Sequence, residues 1–268
     1  MQQTNNVQIM DFAYSVAGFA VGAIVGLTGV GGGSLMTPLL VLLFGIHPSV
    51  AVGTDLLYAS LTKAGGTVAH SLKGSVDWQV TRRLAAGSIP AAIATLLLVG
   101  HFAPGGIDGA AGLIKVSLGV ALVLTAVAII FRHRIQAYAL ARFGGQPRPL
   151  RTKWLTVLTG AVLGVLVSMS SVGAGALGIT ALLFLYPAMP ALRIVGSDIA
   201  HAVPLTAVAG IGHWMLGSVD WFLLASLLVG SLPGIWVGTH ISAKVPDRVL
   251  RPILATMLIL VGAKMMAH

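Results

Sequence analysis

The pentapeptide Gly74-Ser75-Val76-Asp77-Trp78 recurs as Gly217-Ser218-Val219-Asp220-Trp221. At the same offset Gly53-Thr54-Asp55 returns as Gly196-Ser197-Asp198, His70 as His213, and Gly87-Ser88-Ile89-Pro90 as Gly230-Ser231-Leu232-Pro233. Upstream, Val30-Gly31-Gly32-Gly33 aligns with Val172-Gly173-Ala174-Gly175 one residue out of step, so an insertion separates the two registers. Such a chain is two copies of one unit, and its fold must bring the copies together. They occupy residues 1–131 and 154–268, joined by a basic segment over 132–153.

Both copies are strongly apolar. Hydrophobic residues make up 56% of the chain and charged residues 9%, with a mean hydropathy of +0.94. A soluble domain carries about 25% charged residues, so the solvent for this surface is lipid. The fold class is an all-α polytopic integral membrane protein. The net charge of +9 does not indicate nucleic acid, because the cations sit in short loops between apolar runs, where they orient a membrane protein. With no cysteine, disulfides and thiolate metal sites are excluded. No cofactor is implied: the Gly-rich runs lack the Gly-Lys-Ser/Thr ending of a P-loop and are flanked by apolar spans where a strand is needed. The stretch from Met1 to Asn6 has no basic residue, so the first apolar run is expected to be retained and not cleaved.

Each half contains five apolar segments, read as helices over roughly 8–27, 34–46, 48–72, 79–100 and 107–131, then 154–169, 176–187, 190–215, 220–241 and 249–267. The second segment of each half is shorter than the roughly 20 residues that a crossing needs. Each first segment ends in a break: Gly26-Leu27-Thr28-Gly29-Val30-Gly31-Gly32-Gly33-Ser34 and Ser168-Met169-Ser170-Ser171-Val172-Gly173-Ala174-Gly175. Glycine at this density does not sustain a helix, at about 1 kcal/mol each relative to Ala. The first pair of segments in each half is therefore expected to be a hairpin whose tip stops inside the membrane, where irregular backbone must be buried in protein or line a wet cavity.

Loop charge suggests the topology. The linker carries Arg132, Arg134, Arg142, Arg148, Arg151 and Lys153 and no acid, which places it in the cytoplasm. With re-entrant hairpins, Lys73, Arg82, Arg83, Arg193, Lys244, Arg248 and Arg251 fall inside; the N-terminus and the loops 101–108 and 217–221 fall outside without Lys or Arg. Only Lys264 runs against this. If each hairpin is instead one bent crossing, the chain has eight spans and the halves share an orientation. Equivalent loops of the two halves differ in charge, as an inverted repeat requires.

The Gly-rich run Gly29–Gly33, Pro38 in the following short helix, and Val52-Gly53-Thr54-Asp55 resemble the TauE/SafE sulfite exporter family, and the looser second copies Val172–Gly175 and Val195–Asp198 fit it too. The resemblance spans nearly the whole chain. It implies a secondary transporter of small sulfur-containing anions, such as sulfite or organosulfonates, that usually exports them across a prokaryotic inner membrane. The family is usually described with about eight spans, the count that hydropathy windows give when short segments are missed.

Broken helices in matching positions of two halves point to a transport site. The helices starting at Ser34 and near Ala176 would offer free N–H donors and a partial positive charge to an anionic substrate. Hydroxyls of Thr28, Ser34, Ser170 and Ser171 would add donors, and Gly31, Gly32, Gly33, Gly173 and Gly175 would let the backbone approach; the plainer alternative is that these small residues serve close packing. Lys63, mid-helix, completes the anion site or pairs with an Asp. Its repeat equivalent is Thr206, and Thr67 and His70 share its face. Asp55 and Asp198 carry a coupling proton or hold a broken helix while ionised. His70, His213 and His201 are relay candidates or satisfied core groups. Asp77 and Asp220 cap the helices that follow, beside interfacial Trp78 and Trp221. Pro90, Pro204 and Pro233 kink helices or occupy first turns. The rival readings are an anion channel or a uniporter, and, behind them, a membrane-embedded hydrolase using Ser34 with His70.

Overall fold

The apolar runs are helices in a computed structural model that describes residues 2–28, 33–103, 106–143, 149–242 and 247–267. In chain order these are α1 (Gln2–Thr28), α2 (Gly33–Leu42), α3 (Pro48–Leu72), α4 (Trp78–Phe102), the single turn α5 (Gly106–Gly109), α6 (Ala111–Phe143), α7 (Pro149–Ser170), α8 (Ala176–Leu185), α9 (Ala191–Met215), α10 (Trp221–Ser242) and α11 (Asp247–Ala267). The described residues contain no strand. The segments Trp78–Phe102, Ala111–Arg142, Arg151–Ser170, Ala191–Met215 and Trp221–Gly238 are long and apolar enough to cross a membrane. The protein is thus a polytopic all-α membrane protein. Boundaries differ from expectation by a few residues at α1, α2 and α7, and by most at α6. α6 does not stop at residue 131 but continues to Phe143, through the first part of the basic linker. Arg, Gln and Ala are good helix formers, and nothing before Gly144 interrupts them.

The ends of α3 and α9 show why the repeated pentapeptide recurs. Gly74 and Gly217 adopt φ of 63° and 80°, the left-handed conformation that ends a helix at low cost only for glycine. The turn closes by Ser75 N–H to His70 O at 3.0 Å and Ser218 N–H to His213 O at 2.9 Å. Asp77 Oδ1 then accepts from Gln79 and Val80 N–H, both at 3.1 Å. Asp220 Oδ1 accepts from Phe222 and Leu223 N–H, both at 2.9 Å. These are the expected caps, and Trp78 and Trp221 beside them are each 51% exposed.

The halves are tied together across these turns. The Asp220 N–H donates to Thr54 Oγ1 at 3.0 Å, and the Asp77 N–H donates to Ser197 Oγ at 2.8 Å. Each Gly-Thr/Ser-Asp motif thus holds the pentapeptide of the opposite copy.

Glycine decides how the long helices meet. Gly18 and Gly22 of α1 lie on the backbone of Leu227 and Ser231 in α10, and Gly230, Gly234 and Gly238 lie on Ser15, Phe19 and Ala23. The equivalent pair repeats this: Gly160 and Gly164 of α7 lie on Leu84 and Ser88 of α4, and Gly87 on Val157. Residue numbers rise together in both pairs, so α1 and α10 are parallel, as are α4 and α7. A Cβ at these glycines would meet main-chain atoms, and small residues of this kind let membrane helices approach closely. The central pair runs the other way. Gly53 abuts His213, Gly210 abuts Leu57, and Gly196 abuts His70, so α3 and α9 are antiparallel.

Two hairpins flank that pair. Beyond α8, the Tyr186 hydroxyl lies 2.8 Å from Thr156 Oγ1 near the start of α7, so α8 folds back along α7. Arg83 Nη1 reaches the same hydroxyl at 3.3 Å. In the first half the Tyr14 and Phe44 rings meet in a tilted contact with centroids 4.9 Å apart, returning the end of α2 to α1. A ten-residue helix is about 15 Å long, half of a hydrocarbon core.

Candidate functional site

The break after α7 is where polar groups converge. Ser170 ends the helix, and Ser171 takes a left-handed φ of 58°, followed by Gly173 at 130° and Gly175 at 141°. Ser171 is the non-glycine residue with positive φ among the described residues. The main chain is unwound here, and α8 restarts at Ala176 behind Gly175, which as N-cap supplies no side-chain hydrogen bond. The first-turn N–H groups of α8 thus lack a side-chain cap, and the helix dipole places partial positive charge there.

Three elements bring charged or hydroxyl groups to this break. From α3, Lys63 Nζ donates to the Ala174 carbonyl at 2.8 Å, with Asp198 and then Asp55 within its electrostatic reach. From α9, the buried Asp198 presses its Oδ1 against Gly178 in the first turns of α8. The fully buried His213 donates from Nε2 to the Ser168 carbonyl at 2.9 Å. From α2, the Thr37 hydroxyl donates a short hydrogen bond to Oδ2 of buried Asp55, which also faces Ser171. The Ser171 hydroxyl, Asp55 Oδ1 and Asp198 Oδ1 are buried without closing a hydrogen bond.

Of the expected residues, Lys63, Ser171, Gly173, Gly175, Asp55 and Asp198 therefore meet around one break. Ser170 differs: its hydroxyl is committed to the Leu166 carbonyl at 2.6 Å and to the turn at Val172. His201, with no exposed surface, pairs with Ser88 Oγ at 2.8 Å from α4. His70 lies apart at the end of α3, its Nδ1 2.8 Å from Ser75 Oγ. Gly31 and Gly32, and the side chains of Thr28, Gly33 and Ser34, lie outside the described residues.

The sequence reading missed Thr37 and Ser88. Ser88 had a signal: it recurs as Ser231, a hydroxyl repeated within an apolar span. Ser231 faces Tyr58, the repeat equivalent of His201, so both copies set a buried hydroxyl against a buried ring. Thr37 had no comparable mark.

Comparison with known proteins agrees with this architecture. Residues 14–265 match the family model described as Sulfite exporter TauE/SafE. The chain is 42% identical over 257 residues to the protein of Bacillus subtilis (strain 168) named probable membrane transporter protein YjnA, covering 96% of this chain and 100% of that one. It is 28% identical to probable membrane transporter protein YdhB of the same organism, over 90% of this chain and 97% of the relative. It is 25% identical to probable membrane transporter protein MJ0441 of Methanocaldococcus jannaschii, over 94% and 93%. No solved structure matches.

Proposed function

The chain belongs to the TauE/SafE sulfite exporter family and is a membrane transporter, and on that premise we propose that it exports a small sulfur-containing anion, of the sulfite or organosulfonate class, by alternating access around the α7–α8 break. One arrangement carries the reading: the start of α8, which has no side-chain cap and of whose first turn the Gly178 N–H is closed on Gly173 O at 3.1 Å, lies beside the Lys63 ammonium and the Ser171 hydroxyl. A sulfonate or sulfite has three acceptor oxygens and a negative charge. N–H and O–H donors at a helix start suit such an oxyanion, and neutral donors release it readily. Lys63 supplies the one full charge, and its bond to Ala174 O is the contact the substrate would compete for.

The antiparallel crossing of repeat-equivalent α3 and α9 supports an inverted repeat, since a two-fold axis perpendicular to a helix reverses it. The folded-back hairpins support ten segments with two re-entrant tips in place of eight crossings. In this arrangement residues 132–153 face the cytoplasm of a prokaryotic inner membrane, consistent with their basic charge. Two such halves, rocking around a fixed midplane site, are the usual architecture of secondary transporters. The hydrolase alternative loses support from His70, whose Nδ1 is engaged by Ser75.

The test is counterflow in proteoliposomes at equal pH on both sides. Vesicles loaded with unlabelled sulfite or a monosulfonate should transiently concentrate labelled anion, and sulfate should compete poorly. Labelled anion that equilibrates without overshoot would indicate a channel; no entry of any sulfur anion would refute the substrate class.

A further inference from the structure

Two repeat-equivalent carboxylates share one cation, and the protein treats them differently. Asp55 is pinned by the Thr37 hydroxyl and faces Ser171. Asp198 meets Gly178, which offers no hydroxyl, and its buried Oδ1 has no hydrogen bond. Lys63, bonded to the Ala174 carbonyl at 2.8 Å, lies within electrostatic reach of both acids and feels Asp198 more strongly. Where a symmetric site would carry a second lysine there is Thr206, whose hydroxyl turns back to the Ala202 carbonyl at 2.8 Å.

Resting on the anion-transport reading above, we propose that Asp198 takes up a proton each time the anion binds, releasing Lys63 to the substrate, so that one anion and one proton cross together. The reason is charge. With both acids ionised, Asp55, Asp198 and Lys63 sum to a single negative charge deep in the protein. An added anion would double it, at a steep cost in a membrane interior. If Asp198 is protonated as Lys63 turns from it to the anion, the cluster's charge is unchanged. The proton comes from water on the side from which the anion enters and leaves with it on the other. No covalent bond is made or broken other than the O–H on Asp198.

The groups around Asp198 suit this exchange. α3 contributes Lys63 and, beyond it, Asp55. α9 itself contributes His201, held by Ser88 of α4. α8 contributes the Gly178 backbone, and the break contributes the Ala174 carbonyl that holds Lys63, while the Ser171 hydroxyl faces Asp55. Asp77, whose N–H reaches neighbouring Ser197, is occupied with the first turn of α4 and with Arg193 at 3.8 Å. Asp198 is therefore the carboxylate without a hydroxyl partner, and the cation it shares with Asp55 is bonded to the Ala174 carbonyl.

Coupling of this kind makes transport electroneutral. An uncoupled anion would be driven outward by about 2.3 kcal/mol per 100 mV of interior-negative potential. A coupled one leaves only when its own gradient exceeds any opposing pH gradient, so the protein would vent an excess without draining the pool.

The experiment uses methanesulfonate and isethionate, which stay ionised near neutral pH, so any proton that moves is carried by the protein. Counterflow at equal pH reports transport; a vesicle-trapped pH dye and uptake under an imposed pH gradient, with potential clamped at zero, report coupling. The wild type should exchange both anions, acidify the lumen in step with uptake, and accumulate anion about tenfold per pH unit. Asp198→Asn should exchange more slowly and lose both the dye signal and the gradient-driven accumulation; Asp220→Asn, at the cap of α10 and outside the cluster, should keep both. Wild-type exchange without proton movement overturns the coupling alone and leaves the anion transporter. Absence of exchange for both anions overturns the transport reading and the coupling with it. Proton movement persisting in Asp198→Asn, or labelling of wild-type Asp198 by a hydrophobic carbodiimide (which needs the protonated carboxyl) that methanesulfonate does not raise, overturns the assignment to Asp198. The labelling, done on the wild type, decides this even if Asp198→Asn does not fold.

Discussion

Lys63 Nζ and the Ala174 carbonyl oxygen are 2.8 Å apart, joining the central helix of the first half to the unwound chain of the second. The lysine satisfies a carbonyl that the broken helix leaves open, and it holds a positive charge at the proposed anion site. Lys63→Met keeps the aliphatic stem and removes both roles. It should raise the half-saturation concentration for sulfonate counterflow at least about tenfold, equivalent to ~1.4 kcal/mol. Concentration-dependent exchange in proteoliposomes checks this, and an unchanged half-saturation would remove Lys63 from the site.

The glycine contacts between α4 and α7 predict a sharp contrast. A Cβ at Gly87 would strike the Val157 carbonyl, whereas one at Gly112 meets nothing within 4 Å. Gly87→Ala should destabilise the protein by about 1–3 kcal/mol through overpacking. Gly112→Ala should be neutral or stabilising by up to about 1 kcal/mol, from helix propensity. Thermal unfolding in detergent separates them.

Thr54 accepts from the Asp220 N–H in the opposite half. Thr54→Ala leaves that donor without its partner and should cost about 1–3 kcal/mol, while Thr54→Ser should recover most of it. Ser197→Ala, the repeat equivalent, should behave alike through Asp77. A large difference between the two losses would show that the two latches are not equivalent.

Loss of either cap should also be measurable. Asp220→Ala should cost about 1 kcal/mol. Asp77→Ala also removes the pairing with Arg193, whose side chain is 51% exposed, so the extra loss should stay below about 1 kcal/mol. A double-mutant cycle with Arg193→Ala measures that term directly.

The chain has no cysteine, which makes sidedness simple to read. Lys73 and Leu216 are repeat equivalents that end α3 and α9. In intact cells a membrane-impermeant maleimide should label Leu216→Cys and leave Lys73→Cys unlabelled until the membrane is opened. Labelling of both from the same side would rule out inversion.

Much of the helical plan was legible because its signals are local. The glycines from Gly173 to Gly175 stop α7, and the apolar run from Ala176 restarts the chain. Asp77 and Asp220 advertise helix starts by composition alone. What could not be read depends on contacts between distant segments. Thr37 is one hydroxyl in an apolar helix until α3 brings Asp55 to it, and Ser170 looks like a free donor until its own helix claims it. The extension of α6 was missed for a different reason. Basic residues mark where a membrane ends, and a helix need not end there.

The pairing of α1 with α10 and of α4 with α7 has a consequence for how such a chain is made. The first helix of each copy finds its close-packed partner only in the other copy. As the chain emerges, α1 has no completed seat until α10 follows it into the bilayer, so the first half waits in lipid with its glycine face open. A single copy of the unit, standing before any duplication, would have faced the same incompleteness. On the inverted arrangement proposed above, it could close those faces only against a second molecule lying the opposite way up, and the two-copy chain would then be an antiparallel pair made permanent by a linker.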